Sequence, residues 1–166
     1  MADADLLIRS ATAADVPLLL EFIRAIAEYE KLLDEVVATE ASVHESLFGE
    51  NRHAAVEALI AEWGGEPAAF AVYFHNFSTF TGRAGLYLED LFVKPEFRRH
   101  GIGQQLMVHL AKIAVERNCP RFEWVALDWN QSASDFYKTL GAKPISEWCC
   151  FRMSGEPLKN MAETAK

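Results

Sequence analysis

Arg98-Arg99-His100-Gly101-Ile102-Gly103 stands between an apolar, strand-like stretch (Leu86 to Val93) and an amphipathic, helix-like stretch (Gln104 to Val115). A turn with two glycines that opens a helix exposes backbone N–H groups at the helix's positive end, a ready site for phosphate. Glycine lets the backbone approach a ligand where a Cβ would collide. Arg98 and Arg99 add charge and fork-shaped donors. A phosphate-bearing cofactor is therefore expected over Arg98, Arg99, His100, Gly101, Ile102, Gly103 and Gln104.

The spacing excludes two other loops. No Gly-Lys-Ser/Thr ending is present, so this is not a nucleotide P-loop. The dinucleotide fingerprint requires a further glycine where Leu106 stands. What remains, Arg-x-x-Gly-x-Gly after a strand, also describes an ordinary strand-to-helix turn with two solvated arginines. The neighbouring sequence has to decide.

Working outward, Leu6–Arg9 reads as a strand. A helix follows, N-capped by Thr12 or Asp15; Pro17 fits a first turn and favours Asp15. Leu19, Phe22, Ile23 and Ile26 form its apolar stripe. Thr39 caps a second helix carrying Val43, Leu47 and Phe48, with Gly49 just past its end. Ala54–Ala61 and Ala68–His75 read as strands joined at Gly64-Gly65. Asn76 to Gly85 lacks a period and reads as a loop. Pro95 ends the Leu86–Val93 strand, whose alternation places Tyr87, Glu89 and Leu91 on one face and Leu88, Asp90 and Phe92 on the other. Ile102, Leu106, Leu110 and Ile113 are the buried stripe of the third helix. Arg121–Leu127 reads as a strand, Gln131–Leu140 as a helix stopped by Gly141, Lys143–Met153 as a closing pair of strands, and Lys159–Lys166 as a fraying tail. Strands and helices alternate late and form a hairpin in the middle. The expected fold is α/β, a three-layer α/β/α domain with a mixed central sheet, in a single domain over 1–166. Ligands in such sheets bind at the carboxyl ends of strands, by the turn into the helix.

Composition narrows the function classes. The chain has 166 residues, 51% of them hydrophobic, enough for a substantial core. No apolar run reaches the ~18 residues of a membrane span, and the acidic start Met1–Asp5 lacks the basic flank of a signal peptide. The three cysteines (Cys119, Cys149, Cys150) cannot all pair, which with the missing leader points to the cytoplasm. A formal net charge of -8 disfavours nucleic acid and suits a cationic substrate, although solubility alone explains it as well. The five histidines show no metal-ligand spacing, so no metal is expected. Neither a membrane nor a nucleic acid is an expected partner.

Tyr87-Leu88-Glu89-Asp90-Leu91-Phe92-Val93 upstream of the glycine turn, and Asp128-Trp129-Asn130, Phe136-Tyr137 and Leu140-Gly141-Ala142 downstream, change the reading. Taken in order, these stretches resemble the acetyl-CoA-dependent N-acetyltransferases of the GNAT superfamily, over nearly the whole chain. Ala27-Glu28-Tyr29-Glu30, Tyr87-Leu88-Glu89-Asp90, Trp129-Asn130 and Phe136-Tyr137-Lys138 resemble its diamine branch, the spermidine/spermine and thialysine acetyltransferases.

The resemblance implies acetyl-CoA as acetyl donor and a direct ternary complex. Acetyl transfer to an amine needs a neutral nucleophile, though a free alkylamine has a pKa near ~10. It also needs donors for an oxyanion and an acid near the leaving thiolate. By resemblance Tyr137 is the acid; without it, Phe136-Tyr137 reads as an aromatic pair packing a helix onto the sheet. Glu89 is the base, directly or through water, or else one of two solvated acids at a splayed strand end. Leu91, Phe92 and Val93 would hold the pantetheine arm as an added strand, with the Leu91 N–H toward the thioester carbonyl. Asn130 would hold the arm, cap the following helix, or both. Tyr29, Glu30, Glu89 and Asp90 match the branch's acidic and aromatic amine-binding positions; Glu28, Glu30 and Lys31 fit a solvated helix face equally well.

One departure matters. The diamine enzymes carry an acid and a tryptophan in the loop before the central strand, where this chain has Asn76-Phe77-Ser78-Thr79-Phe80. That favours a small amine over long polyamines. The resulting expectation is an N-acetyltransferase of a small-molecule primary amine. A protein lysine or N-terminal acetyltransferase and a non-enzymatic acyl-CoA sensor stand as alternatives. The apolar run Trp148–Phe151 in the late strands suggests a homodimer.

Overall fold

The computed structural model describes residues 5–50 and 55–164. Met1–Ala4, most of the acidic start, and Ala54, the first residue of an expected strand, lie outside them. The chain divides into two compact units, 1–125 and 126–166.

The first unit contains the sheet. In chain order come β1 (Leu6–Ser10), α1 (Val16–Tyr29), α2 (Glu40–Phe48), β2 (Glu57–Trp63), β3 (Glu66–Ser78), β4 (Arg83–Val93), α3 (Ile102–Glu116) and β5 (Phe122–Trp124). The strand order is β1-β2-β3-β4-β5. Neighbours are antiparallel as far as β4, and β4 pairs with β5 in parallel. This is the mixed sheet that the alternation of elements implied. Both strands of the central hairpin run further than expected: Asn76–Ser78 pairs with Arg83–Gly85, so only Thr79–Gly82 is a turn. Residues outside the local pattern hold this extension, since the Asn76 amide donates to Glu123 at 3.0 Å and Arg121 to the Phe77 carbonyl at 3.2 Å.

α1 and α2 cover one face. Leu19, Phe22, Val43 and Leu47 bury themselves against Ala58, Ile60, Phe70 and Phe92, with the Phe22 and Phe70 rings stacked at 5.0 Å. α3 covers the other face, against β3 and β4, burying Ile102, Leu106 and Leu110. Full burial of each such side chain is worth ~1.5–3 kcal/mol. At the far end of α3, Arg117 pairs with Glu57 and lies 5.9 Å over the Tyr73 ring.

Helix ends follow their chemistry. Asp15 occupies the N-cap of α1, as Pro17 favours, but its carboxylate instead accepts from the Thr12 N–H (2.7 Å) and from both terminal nitrogens of Arg9 (2.8 Å each). Thr39 caps α2 through the Ser42 N–H. α1 and α3 both close with paired hydrogen bonds from the two residues after the cap, Lys31 to Glu28 and Leu32 to Ala27, Asn118 to Val115 and Cys119 to Ala114. Lys31 (φ 62) and Asn118 (φ 57) take the left-handed position where glycine is usual.

In the second unit, α4 (Gln131–Thr139) closes in the same manner with Gly141 (φ 89) in that position. The expected closing strands over Lys143–Met153 do not form; that stretch carries no strand, and Cys149 and Cys150 are both exposed. A two-stranded hairpin with no further edge to pair is marginal by itself. The expected fraying tail is instead α5 (Gly155–Glu163), begun at Ser154 with Pro157 in its first turn and a Lys159–Glu156 pair at 2.8 Å. Ala165 and Lys166 lie outside the described residues.

Candidate active site at the carboxyl end of the central strand

Two breaks in regularity shape the end of β4. Its register with β5 covers Leu86–Leu88 only, so from Glu89 to Val93 that edge of β4 has no strand partner among the described residues. On the opposite side, Val72 pairs with Asp90 and Tyr73 with Leu88, which leaves Glu89 as the extra residue of a β-bulge. Directly paired residues share a face. Leu88 therefore lies with Tyr73 on the α3 face, whereas Asp90 and Phe92 lie with Val72 and Phe70 on the α1 face. Tyr87, against the Phe74 ring at 5.0 Å, shares the face of Asp90. The strict alternation expected from sequence is thus corrected: the bulge flips one half of the strand relative to the other. No local pattern encodes it. The Glu89-Asp90 pair inside an apolar run was the one visible sign.

The bulge turns Asp90 inward and leaves Glu89 exposed. Burial, followed by the charges of Glu89 and Glu30, pushes the Asp90 carboxyl up to about 6. Burial also raises Glu30, the residue that caps α1. Glu30, Glu89 and Asp90, predicted from separate stretches, therefore lie within reach of one another's charge at an acidic recess between the end of α1 and β4, with Tyr29 next to Glu30 in the chain. An ammonium group relieves such like-charge crowding.

Beyond β4, a short 3-10 turn (Pro95–Phe97) leads to Arg98. Arg99 (φ 67) and Gly101 (φ 76) are both left-handed, and Gly101 is the N-cap of α3 without a side-chain cap. A Cβ placed on Gly101 would meet nothing within 4 Å, so the turn faces open space on that side. The first N–H groups of α3, at Ile102, Gly103 and Gln104, lie beyond the helix's own ladder. This combination of open space, oriented N–H groups and positive helix end fits a phosphate group. His100 rests against Trp63 at 5.1 Å and near the Phe97 carbonyl at 3.2 Å. Arg98 reaches elsewhere: its Nε donates to the Val93 carbonyl at 3.1 Å, and its guanidinium lies 5.0 Å from the Tyr29 ring and 5.6 Å from the Phe92 ring.

The second unit carries the other two predicted residues. Asn130 caps α4, its Oδ1 accepting from the Ala133 N–H at 3.2 Å, so the capping reading is realised. Tyr137 is half-buried on α4, with its ring 5.3 Å from that of Phe136. Among the described residues no group of three His, Cys, Asp or Glu side chains is placed to hold a metal ion, and no helix is long and apolar enough to cross a membrane.

An open strand edge running into a glycine turn and a helix N-terminus is the arrangement anticipated from the resemblance. Residues 22–142 match the acetyltransferase (GNAT) family. The chain belongs to that family. This GNAT enzyme is 40% identical over 169 residues to thialysine N-epsilon-acetyltransferase of Sus scrofa, covering 96% of this chain and 98% of that one. It is 29% identical over 195 residues to an L-ornithine N5-acetyltransferase of Arabidopsis thaliana, covering 92% and 86%. Among solved structures it resembles an integron cassette protein from the mobile metagenome of V. cholerae, with a TM-score of 0.79 and 31% identity over 96% of this chain and 98% of that one. Membership makes this GNAT protein an acyltransferase and implies acetyl-CoA as its acetyl donor.

Sequence reasoning missed two side-chain roles at this site. Phe92, expected to act through its backbone, offers its ring to Arg98. Trp63, assigned no role, packs on the predicted phosphate turn. In both cases the partner is far away in the chain, and no local pattern marks the contact.

Proposed function

We propose that this protein transfers the acetyl group of acetyl-CoA to a side-chain amine of a small amino acid or to a short diamine, by direct attack in a ternary complex. The observation that carries the reading is the juxtaposition on β4: an unpaired edge from Glu89 to Val93, the phosphate-fitting turn at its end, and the acidic recess of Glu30, Glu89 and Asp90 beside it. Relatives named thialysine N-epsilon-acetyltransferase and L-ornithine N5-acetyltransferase support the side-chain amine.

Acetyl-CoA, when bound, supplies an activated acetyl thioester. The turn from Arg99 to Gln104 would receive its phosphates, with Arg99 contributing charge. Leu91, Phe92 and Val93 would pair with its arm as a further strand would, the Leu91 N–H offering a donor to the thioester carbonyl. Glu30 and Asp90 draw in the ammonium form of the amine, and Tyr29 offers a ring face. Glu89, at the bulge and exposed to water, takes the proton that must leave before the nitrogen can attack. Tyr137 would give a proton to the leaving sulfur and recover one from solvent, into which the acylated nitrogen sheds its second proton, and Asn130 would cap the helix that carries Tyr137.

On this reading the protein works in the cytoplasm, where its unpaired cysteines stay reduced. It does so as a homodimer. Ile145, Trp148, Phe151 and Met153 are all exposed, and an apolar run of this kind is covered in a stable assembly. Sedimentation giving only monomer would refute the dimer.

Thiol release from acetyl-CoA across a panel of short diamines, spermidine, lysine, ornithine, thialysine and a lysine peptide tests the activity. Turnover on one small amine is expected. Release with the peptide alone would replace the reading by a protein acetyltransferase, and acetyl-CoA binding without release on any amine would replace it by a sensor.

A further inference from the structure

The first arginine of the glycine turn occupies a phosphate-binding motif, but its side chain is committed elsewhere. Its Nε is donated to the Val93 carbonyl at 3.1 Å, and its guanidinium carbon lies 5.0 Å from the centre of the Tyr29 ring and 5.6 Å from that of Phe92. Phe92 is 6% exposed and belongs to the core packed between the sheet, α1 and α2. Tyr29 is 41% exposed and is the last residue of α1, immediately before Glu30. The contacts thus run from the core, through Phe92 and Arg98, to the end of α1.

That end is poorly buried. Ala27 is the last buried residue of α1, and Leu32 and Leu33 beyond it are 44% and 45% exposed. The left-handed Lys31 that closes the helix is itself disfavoured relative to glycine. The recess itself is crowded with like charge, since burial and the carboxylates of Glu89 and Glu30 all raise the Asp90 carboxyl. A planar guanidinium can stack on two rings while donating to a carbonyl, whereas a lysine ammonium cannot.

We infer that Arg98 is a positioning residue for the amine rather than a phosphate ligand: held on Val93 and between the rings of Phe92 and Tyr29, it fixes the last turn of α1, and with it Tyr29 and Glu30, against the acidic bulge of β4. It orders the rim of the recess. The inference rests on the reading that this recess receives the amine.

The test compares Arg98→Lys, Arg98→Gln, Tyr29→Leu, Tyr29→Phe and Glu30→Gln by steady-state kinetics with acetyl-CoA and the best amine of the panel, and by hydrogen exchange of the amides from 26 to 32. Both Arg98 variants should raise the amine KM about tenfold, the size of losing a stacked contact and a hydrogen bond, with smaller changes in kcat and in the acetyl-CoA KM. Exchange at Glu30, Lys31 and Leu32 should quicken. Tyr29→Leu should reproduce this and add nothing to Arg98→Gln, while Tyr29→Phe, which keeps the ring, should retain slow exchange. A rise in the acetyl-CoA KM with the amine KM unchanged would overturn the inference and make Arg98 a phosphate ligand. If Glu30→Gln raises the amine KM while the Arg98 variants alter neither amine KM nor exchange, the inference alone falls. If Glu30→Gln leaves the amine KM unchanged, the amine-binding reading falls and the inference with it.

Discussion

Asp90→Asn should make the protein more stable at neutral pH and less able to hold its amine. Burial, Glu89 and Glu30 lift the Asp90 carboxyl from 3.8 to about 6 in the fold. A folded-state pKa raised above the unfolded value means that the native state holds its proton longer, so the cost of ionising Asp90 grows as pH rises from about 4 to about 6 and stays constant above. A shift of about two units corresponds to at most ~3 kcal/mol; residual solvent contact reduces this to ~2 kcal/mol. Asparagine keeps the shape and removes the charge. Urea unfolding of both proteins at pH 4, 5, 6, 7 and 8 is the assay. The gain from Asp90→Asn should be small at pH 4, rise through pH 6 and level off at ~2 kcal/mol. Carboxylates held down by their partners, such as Asp15 with Arg9 and Glu57 with Arg117, titrate equally in both proteins and cancel. A difference independent of pH, or a variant less stable at pH 8 than the parent, would refute the buried, crowded carboxyl. In the parent protein, an ammonium docking beside Asp90 favours its ionised form, so the amine KM should fall as pH rises through 6; an amine KM flat across that range would remove Asp90 from the recess.

Gly101→Asp should raise the acetyl-CoA KM by at least about tenfold through phosphate repulsion while the protein still folds, because aspartate tolerates a left-handed backbone and the Cβ meets open space; an unchanged KM would remove the phosphate from this turn. Tyr137→Phe should lower kcat about tenfold or more with little effect on folding, and full turnover would end its role as acid. Lys31→Gly should stabilise the protein by about 0.5–1 kcal/mol in urea unfolding, since it relieves the left-handed backbone at the end of α1; destabilisation would mean that the lysine side chain makes a contact outweighing that strain.

Much of the site was legible because the chemistry is local. The turn Arg98–Gly103 is a run of adjacent residues whose glycine takes the left-handed conformation a helix entry demands, and Thr39 and Gly141 mark helix ends by the same short-range rules. Tyr29, Glu30, Glu89 and Asp90 were singled out by the family resemblance, and the fold brings the charges of Glu30, Glu89 and Asp90 together. The failures lie where structure depends on what a segment finds beside it. Lys143–Met153 has the composition of strands but no edge to pair with in its own unit, while Gly155–Glu163 needs only its own turns to become helical.

The sequence by itself determined the order of elements as far as α4, the glycine turn and the acidic and aromatic side chains available for an amine, since periodicity, caps and residue type act over a few positions. Only the tertiary structure decided that Glu89 is the bulged residue, that Asp90 shares a face with Phe92 and Tyr87, and that Arg98 spends its guanidinium on two rings. A bulge is the mismatch between two strands, and a stacked arginine needs partners from α1 and β4, so neither exists until distant parts of the chain have met.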